Sequence, residues 1–309
     1  MKILVTGDFH GQKNNVEELK PIFTQILKHL KYCQRIVLLG DIFNNSNPSP
    51  AIVKAIISFI KSIPKEKTIY VIGGNHDLSR EEYATCWIPL IHSNVIYNEK
   101  GIKTTINGKT VNMMHIHVNE SKLGPEDIKL NSVSYKKFKE DILLLGHVHK
   151  PQIISESPLV LHPGSPHYIN FGERNDKKGI YILDIQDKIT YTFVPLNVIP
   201  MKQIEVNEKN LDEIEVQLEE LSENTKLKVV FNIDSYKPEI INKIGKMLKK
   251  YRNKFYSFKH VLNIQRQKIE VSQEEKCKTI NQLLDEFCTK EKTDDEIKNL
   301  LKELLQYEN

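Results

Sequence analysis

Asp8-Phe9-His10 closes the first apolar run of the chain, KILVTG, and Asp41 closes a later one, RIVLLG. Asn75-His76-Asp77 follows TIYVIGG, His115 follows VNMM with His117 two residues on, and His147 and His149 follow DILLLG. Carboxylates, imidazoles and one amide oxygen, with no thiolate, suit a pair of intermediate-to-hard divalent ions such as Mn²⁺. Two such ions about 3.5–4 Å apart, sharing one carboxylate, clamp a phosphate and supply hydroxide near neutral pH. Any single fragment is weak, since Asp after Gly is common in turns. Five in order, each closing an apolar run, are not the pattern of ordinary turns. Within the set, Asn75 offers a neutral oxygen, and His76 is left to give a proton or a hydrogen bond to phosphate. Asp77 reads as a turn-stabilising group. The other histidines (His29, His92, His162, His167 and His260) read as surface or core residues, His162 and His167 having the most claim to a further role.

The elements that must position these groups alternate. KILVTGD, RIVLLGD and TIYVIGG are strands; Val16, Leu19, Phe23, Ile26, Leu27 and Leu30 share one helical face; residues 50–63 form a second helix. VNMMHI, DILLLGH, PLVLH, GIYILDI and KITYTFVPL are further strands. Strand–helix–strand alternation predicts an α/β layered domain, and the late run of strands predicts a second sheet packed on the first. Ligands in open α/β sheets bind beyond the strand C-termini, and six of the eleven histidines fall there. A glycine recurs just before the polar residue, where a tight turn must aim a side chain back over the sheet edge.

A boundary is expected at Asn197–Met201. Beyond it a strand at 226–233, a helix from Pro238 to Arg252 and the strand FKHVLNIQ predict a small α+β domain. From Ser272 two short helices follow. The 309 residues allow two domains, and the net charge of +4 says little about partners. Cys33, Cys86, Cys277 and Cys288 are scattered, as reduced thiols of an intracellular, cytoplasmic protein would be. MKILVTGDFH reads as a strand and not a leader, and no apolar run approaches the roughly 20 residues that span a bilayer.

The ordered fragments DxH, GD, GNHD, a strand-terminal His and GHVH resemble the calcineurin-like metallophosphoesterases. GDIFNNSNPSP and LHPGSPHYINFGERNDKKGIYILDI further resemble the branch of SbcD-type DNA double-strand-break-repair nucleases. The motif resemblance covers residues 1–195; over 200–309 only the order of elements is similar. It implies a four-layer β-sandwich flanked by helices (1–198), an α+β capping domain that binds DNA (199–271) and C-terminal helices that grip the coiled coil of an SbcC-type ATPase (272–309). It implies two Mn²⁺, with Mg²⁺ as the alternative. One ion falls to Asp8, His10, Asp41 and His149; the other to Asp41, Asn75, His115 and His147. His76 is the implied catalytic histidine, and a homodimer the implied assembly. Asn44 stands where that branch often has His or Asp, and His117 competes with His115.

The capping segment adds a signal of its own. Ten Lys or Arg residues and one acid, Glu239, lie between Lys237 and Lys268. Lys243, Lys246, Lys249, Lys250 and Arg252 lie along the Pro238 helix, four of them opposite its apolar stripe, and form either a DNA-backbone contact or a solvated face. The reading is a DNA exo- and endonuclease that processes DNA ends. Its rivals are a phosphodiesterase on RNA or small phosphoesters and a non-catalytic scaffold that binds DNA ends. In the C-terminal segment, Thr279 and Thr293 each open a capping box.

Overall fold

The computed structural model describes residues 1–79, 82–124, 132–235 and 237–264, with Gln282, Asp285, Glu286 and Thr289 beyond them. A first sheet has six strands in the order β11-β10-β1-β2-β3-β4. In chain order these are β1 (Lys2–Thr6), β2 (Arg35–Leu39), β3 (Thr68–Ile72), β4 (Val95–Asn98), β10 (Gly179–Ile185) and β11 (Ile189–Pro195). β1 to β4 are parallel neighbours, and β10 closes antiparallel onto β1. Helices α1 (Val16–Leu30) and α2 (Pro50–Lys61) are the crossovers β1–β2 and β2–β3. Pro50 opens α2, where its missing N–H would have no helical partner anyway.

The second sheet runs β5-β6-β7-β9-β8. Its strands are β5 (Ile102–Ile106), β6 (Lys109–Met114), β7 (Ile142–Leu145), β8 (Gln152–Glu156) and β9 (Leu159–His162). Side-chain alternation sends Ile3, Val5, Val37, Leu39, Tyr70 and Ile72 to one buried cluster with Ile102, Val111, Met113, Ile142, Leu144 and Leu161. That cluster is the sandwich interior. The opposite face of the first sheet buries Leu4, Ile36, Leu38, Ile69 and Val71 against α1 and α2. The opposite face of the second buries Leu143, Leu145 and Val160 beneath Tyr135, Phe138 and Ile116. Among the described residues this fourth layer holds a 3₁₀ turn at Tyr135–Lys137 and loop.

A three-stranded sheet of β12 (Met201–Asn207), β13 (Lys226–Ile233) and β14 (Ser257–Ile264) carries α3 (Ile214–Glu220) and α4 (Pro238–Tyr251). β13 alternates cleanly: Leu227, Val229 and Phe231 are buried, Lys226 and Lys228 half-exposed. Residues 1–232 and 238–263 form one compact body; residues 233–237 and 264–309 form another, most of it outside the described residues. Of the expected C-terminal helices, the one at Thr279 falls among the described residues only at Gln282, Asp285, Glu286 and Thr289, which are helical; the one at Thr293 lies outside them. No described helix is long and apolar enough to cross a membrane.

β4, β5, β8, β12 and α3 were not among the expected elements. β4 and β8 have no fully buried residue, and each holds only a short apolar stretch.

Candidate metal centre

The chain turns sharply after β1, β2 and β7, and the polar residues themselves carry the turn. Asp8, His10, Asp41 and His147 have left-handed φ values of +51°, +43°, +46° and +83°, a conformation uncommon for non-glycine residues. This corrects the expected role of the glycines. Of those preceding the site residues, only Gly40 has a positive φ. Gly74 and Gly146 serve close approach: a Cβ on Gly74 would strike Asp41, and one on Gly146 would strike the Leu39 carbonyl and the His115 ring.

Asp8, His10 and His149 present ligand atoms within 4.8 Å of one another, and so do Asp41, His115 and His147. In the first group His10 Nε2 lies 3.1 Å from His149 Nε2 and 3.5 Å from Asp41 Oδ2. In the second, His115 Nε2 lies 3.1 Å from both Asp41 Oδ2 and Asn75 Oδ1, and His147 Nδ1 is 3.1 Å from the same Asn75 oxygen. Asp41 Oδ2 therefore faces both groups. The Leu39 carbonyl accepts from His115 Nδ1 at 2.6 Å, and Asp8 Oδ1 accepts from the His147 N–H at 2.9 Å. Each of these bonds runs from one sheet to the other. All seven expected ligands converge. His117 is buried with its ring stacked on His147, whereas His115 Nε2 reaches Asp41.

His76 stands beside this cluster, its ring edge-on to His10 with centroids 4.6 Å apart. Its Nδ1 donates to the Asn44 carbonyl at 3.0 Å. Asn44 thus orients His76 through its backbone, a contact indifferent to its side chain. His76 Nδ1 is thereby occupied, although His10, Asp41 and His76 also lie close enough to hold an ion. Asp77 is fully buried and accepts from the N–H groups of Ile42, Phe43 and Gly74, tying the loop after β2 to the loop after β3.

The electrostatics call for positive charge. Burial pushes the Asp8 carboxyl up to about 6 and, with Asp41 adding repulsion, Asp77 up to about 7. Burial pushes His10 down to about 3. Burial also opposes charge on Asp41 and His115, but each outweighs it for the other: Asp41 falls below the ordinary carboxylate range and His115 rises to about 9. Neutral His115, with its Nδ1 proton given to Leu39, would point a bare Nε2 lone pair at two oxygens. A proton or a cation must sit there. Asp8 Oδ2 and His10 Nδ1 are buried with no hydrogen-bond partner among the described residues. Carboxylate, imidazole and amide donors without thiolate fit two divalent cations.

Other charged and polar groups lie beyond the seven ligands and His76. Glu173 accepts from His149 Nδ1 at 2.8 Å and pairs with Lys178 at 2.6 Å. Burial opposes its charge, but the His149 bond and Lys178 hold it at about 2. Only the FGE fragment marked it in the sequence. A cavity of about 500 Å³ is lined by Gln12, Asn14, Phe171, Lys226, Lys228 and Lys259, among others. The Lys228 and Lys259 ammonium groups each lie 5.9 Å from the Phe171 ring centre. The α4 basics are partly engaged: Lys243 pairs with Asp212, and Lys250 with Glu215 and Glu219. Lys246, Lys249 and Arg252 are exposed. His162 is fully buried between the Leu145 carbonyl and Ser121. His167 joins the Phe9 carbonyl to Glu18.

Residues 1–188 match the model of the calcineurin-like phosphoesterase superfamily domain. Among curated proteins, the chain is 27% identical over 279 residues to the SbcD subunit of nuclease SbcCD of Staphylococcus epidermidis, covering 69% of this chain and 74% of that one. Among solved structures it is similar to a novel archaeal phosphodiesterase (19% identity, TM-score 0.44, covering 63% of this chain and 100% of that one). A hypothetical protein of Pyrococcus horikoshii is similar at 16% identity and a TM-score of 0.41, over 78% of this chain and 96% of that one. Those two likenesses are too weak to bear on function. The family match, by contrast, spans all seven converging residues and His76, and the chain belongs to the calcineurin-like phosphoesterase superfamily.

Proposed function

We propose that this chain is a DNA nuclease that processes DNA ends by hydrolysing phosphodiester bonds, as exonuclease and endonuclease, with two Mn²⁺ as preferred cofactors and Mg²⁺ as the alternative. The observation that carries the reading is the convergence of Asp41 Oδ2 and Asn75 Oδ1 on the Nε2 of His115, beside a second group that shares Asp41. Asp8, His10, Asp41 and His149 would hold one ion, and Asp41, Asn75, His115 and His147 the other. When bound, the pair neutralises phosphate charge and makes water a nucleophile near neutral pH.

His76 does not serve as a ligand in this reading. Anchored through Nδ1 on Asn44, it turns Nε2 to the scissile phosphate and gives a hydrogen bond or proton to the departing oxygen. Asp77 keeps the two loops that carry Asp41 and His76 in register. The cavity at Phe171, Lys228 and Lys259 supplies cations and an aromatic face for a nucleic-acid backbone. It adjoins the centre along the chain: Gln12 lies two residues past His10, and Phe171 two before Glu173. Lys243, Lys246, Lys249, Lys250 and Arg252 form the outer part of that contact.

The similarity to a protein named as the SbcD subunit of an SbcCD nuclease supports a partnership with an SbcC-type coiled-coil ATPase. In this reading residues 1–198 are the nuclease domain, 199–271 the DNA-binding cap and 272–309 the partner-binding segment of a homodimer. The test is cleavage of end-labelled duplex and single-stranded DNA, RNA and a chromogenic phosphodiester, with Mn²⁺ or Mg²⁺ and with the ATPase present or absent. DNA cleavage stimulated by Mn²⁺ is expected. Turnover of only RNA or the small ester would replace this reading with the alternative phosphodiesterase, and DNA binding without cleavage would leave a scaffold.

A further inference from the structure

Four side chains of the metal centre are imidazoles, and their second ring nitrogens are held differently. His115 gives its Nδ1 proton to a neutral acceptor, the Leu39 carbonyl. His149 faces a carboxylate: Glu173 Oε1 lies 2.8 Å from its Nδ1. A carboxylate there accepts the Nδ1 proton, so the lone pair of His149 stands on Nε2, the nitrogen that meets His10.

Glu173 is itself fixed on every side. Its Oε2 takes a hydrogen bond from Lys178 Nζ at 2.6 Å and one from the Ile169 N–H at 3.2 Å. Lys178 spends its three protons on Glu173, on Ser165 Oγ at 2.6 Å and on the His149 carbonyl at 3.2 Å. The same carbonyl accepts from the Ser165 N–H at 3.0 Å. Glu173, Lys178 and Ser165 are 4%, 3% and 0% exposed. The buried ion pair thus grips His149 twice, at the ring through Glu173 and at the backbone through Lys178.

We propose that Glu173, buttressed by Lys178, is a positioning residue that fixes the tautomer and ring plane of His149 and so governs cation affinity at the site formed by Asp8, His10, Asp41 and His149. At the site formed by Asp41, Asn75, His115 and His147, His115 leans on a carbonyl instead, and that site is left unchanged. A carboxylate behind a ligating imidazole makes it a stronger donor, and its loss typically costs about 10–100-fold in metal affinity. A buried pair serving stability alone would not distinguish one cation site from the other. The inference rests on the reading of the centre as a two-cation site.

The experiment is Mn²⁺ titration calorimetry on the full chain, wild type against Glu173→Gln. It is paired with nitrogen-15 spectra of the histidine rings of the metal-free protein. Two binding events are expected for the wild type, with one weakened about 10–100-fold in the variant and the other within twofold. The wild-type His149 ring should carry its proton on Nδ1, and in the variant this preference should weaken. Glu173→Gln leaves Lys178 buried without its counter-charge and risks misfolding. Glu173→Gln combined with Lys178→Met removes both charges and is the second variant. Two wild-type ions retained at unchanged affinity in both variants, or a wild-type His149 protonated on Nε2, overturns the role of Glu173. A wild type that takes up no Mn²⁺ overturns the two-cation reading, and this proposal with it.

Discussion

The backbone N–H of His76 donates to Oδ1 of Asp41 at 2.8 Å. The carboxylate proposed to serve both ions and the histidine proposed to serve the leaving group are therefore one mechanical unit, joined through main chain. Replacing the His76 side chain leaves that bond in place.

His76→Ala should then keep both ions while cleavage falls about 10²–10⁴-fold, the usual contribution of a general acid or base. Asp41→Ala should lose both ions and activity together. Elemental analysis of each variant after desalting separates the cases. An ion lost from His76→Ala would make His76 a ligand, which its place beside His10 and Asp41 also permits.

Gly146→Ala tests the close approach of the sheets. The added methyl would press the Leu39 carbonyl and the His115 ring, the two partners of the bond between sheets. Overpacking of this kind costs about 1–3 kcal/mol, and Mn²⁺ uptake should drop with it. Gly245→Ala is the contrast: in α4, with open space around it, it should stabilise by up to about 1 kcal/mol. Urea midpoints of the two variants should move in opposite directions.

Glu18 joins α1 to the loop of His167 and, through Lys226, to the three-stranded sheet. Burial would raise its pKa, but His167 and Lys226 outweigh burial and lower it. A depressed carboxylate adds stability that is complete above its unfolded pKa and lost as pH falls through its folded one. Glu18→Gln should be less stable than wild type at pH 7, and the gap should close on acidification below the ordinary carboxylate range. A gap constant from pH 7 to pH 3 would show that the charge contributes nothing.

Lys228→Glu with Lys259→Glu should weaken DNA binding more than Lys243→Glu with Lys250→Glu. The second pair is already engaged by Asp212, Glu215 and Glu219. The slope of log affinity against log salt should flatten by about 0.9 for each phosphate no longer neutralised. Equal effects would return the contact to the exposed face of α4.

The strands that carry the centre were legible because they are buried on both faces. β1, β2, β3 and β7 read as unbroken apolar runs, and polar residues at their ends stood out. β5 alternates and ends at an Asn-Gly turn, but two threonines and a lysine in its middle hid it among loops. The left-handed backbone at Asp8 and Asp41 was invisible, since nothing local separates a turn made by glycine from one made by its successor. Glu173 escaped because its partner lies 24 residues back, across two strands and a loop. The pairing of α4 with α3 escaped because α3 is seven residues long and half polar.

The centre takes groups from the ends of β1, β2 and β3 on one sheet and of β6 and β7 on the other. The spacing of those ends follows from what fills the sandwich between them: Val5, Leu39, Met113, Leu144 and their neighbours. Close-packed interiors transmit a change of one methylene outward. Mg²⁺ requires ligands at about 2.0–2.1 Å in near-octahedral array and tolerates misfit poorly. Aperture at the rim is thus a property of the filling, and drift among aliphatic residues far from any charge would retune which ion the rim prefers. Such drift would be read in metal selectivity as well as in stability.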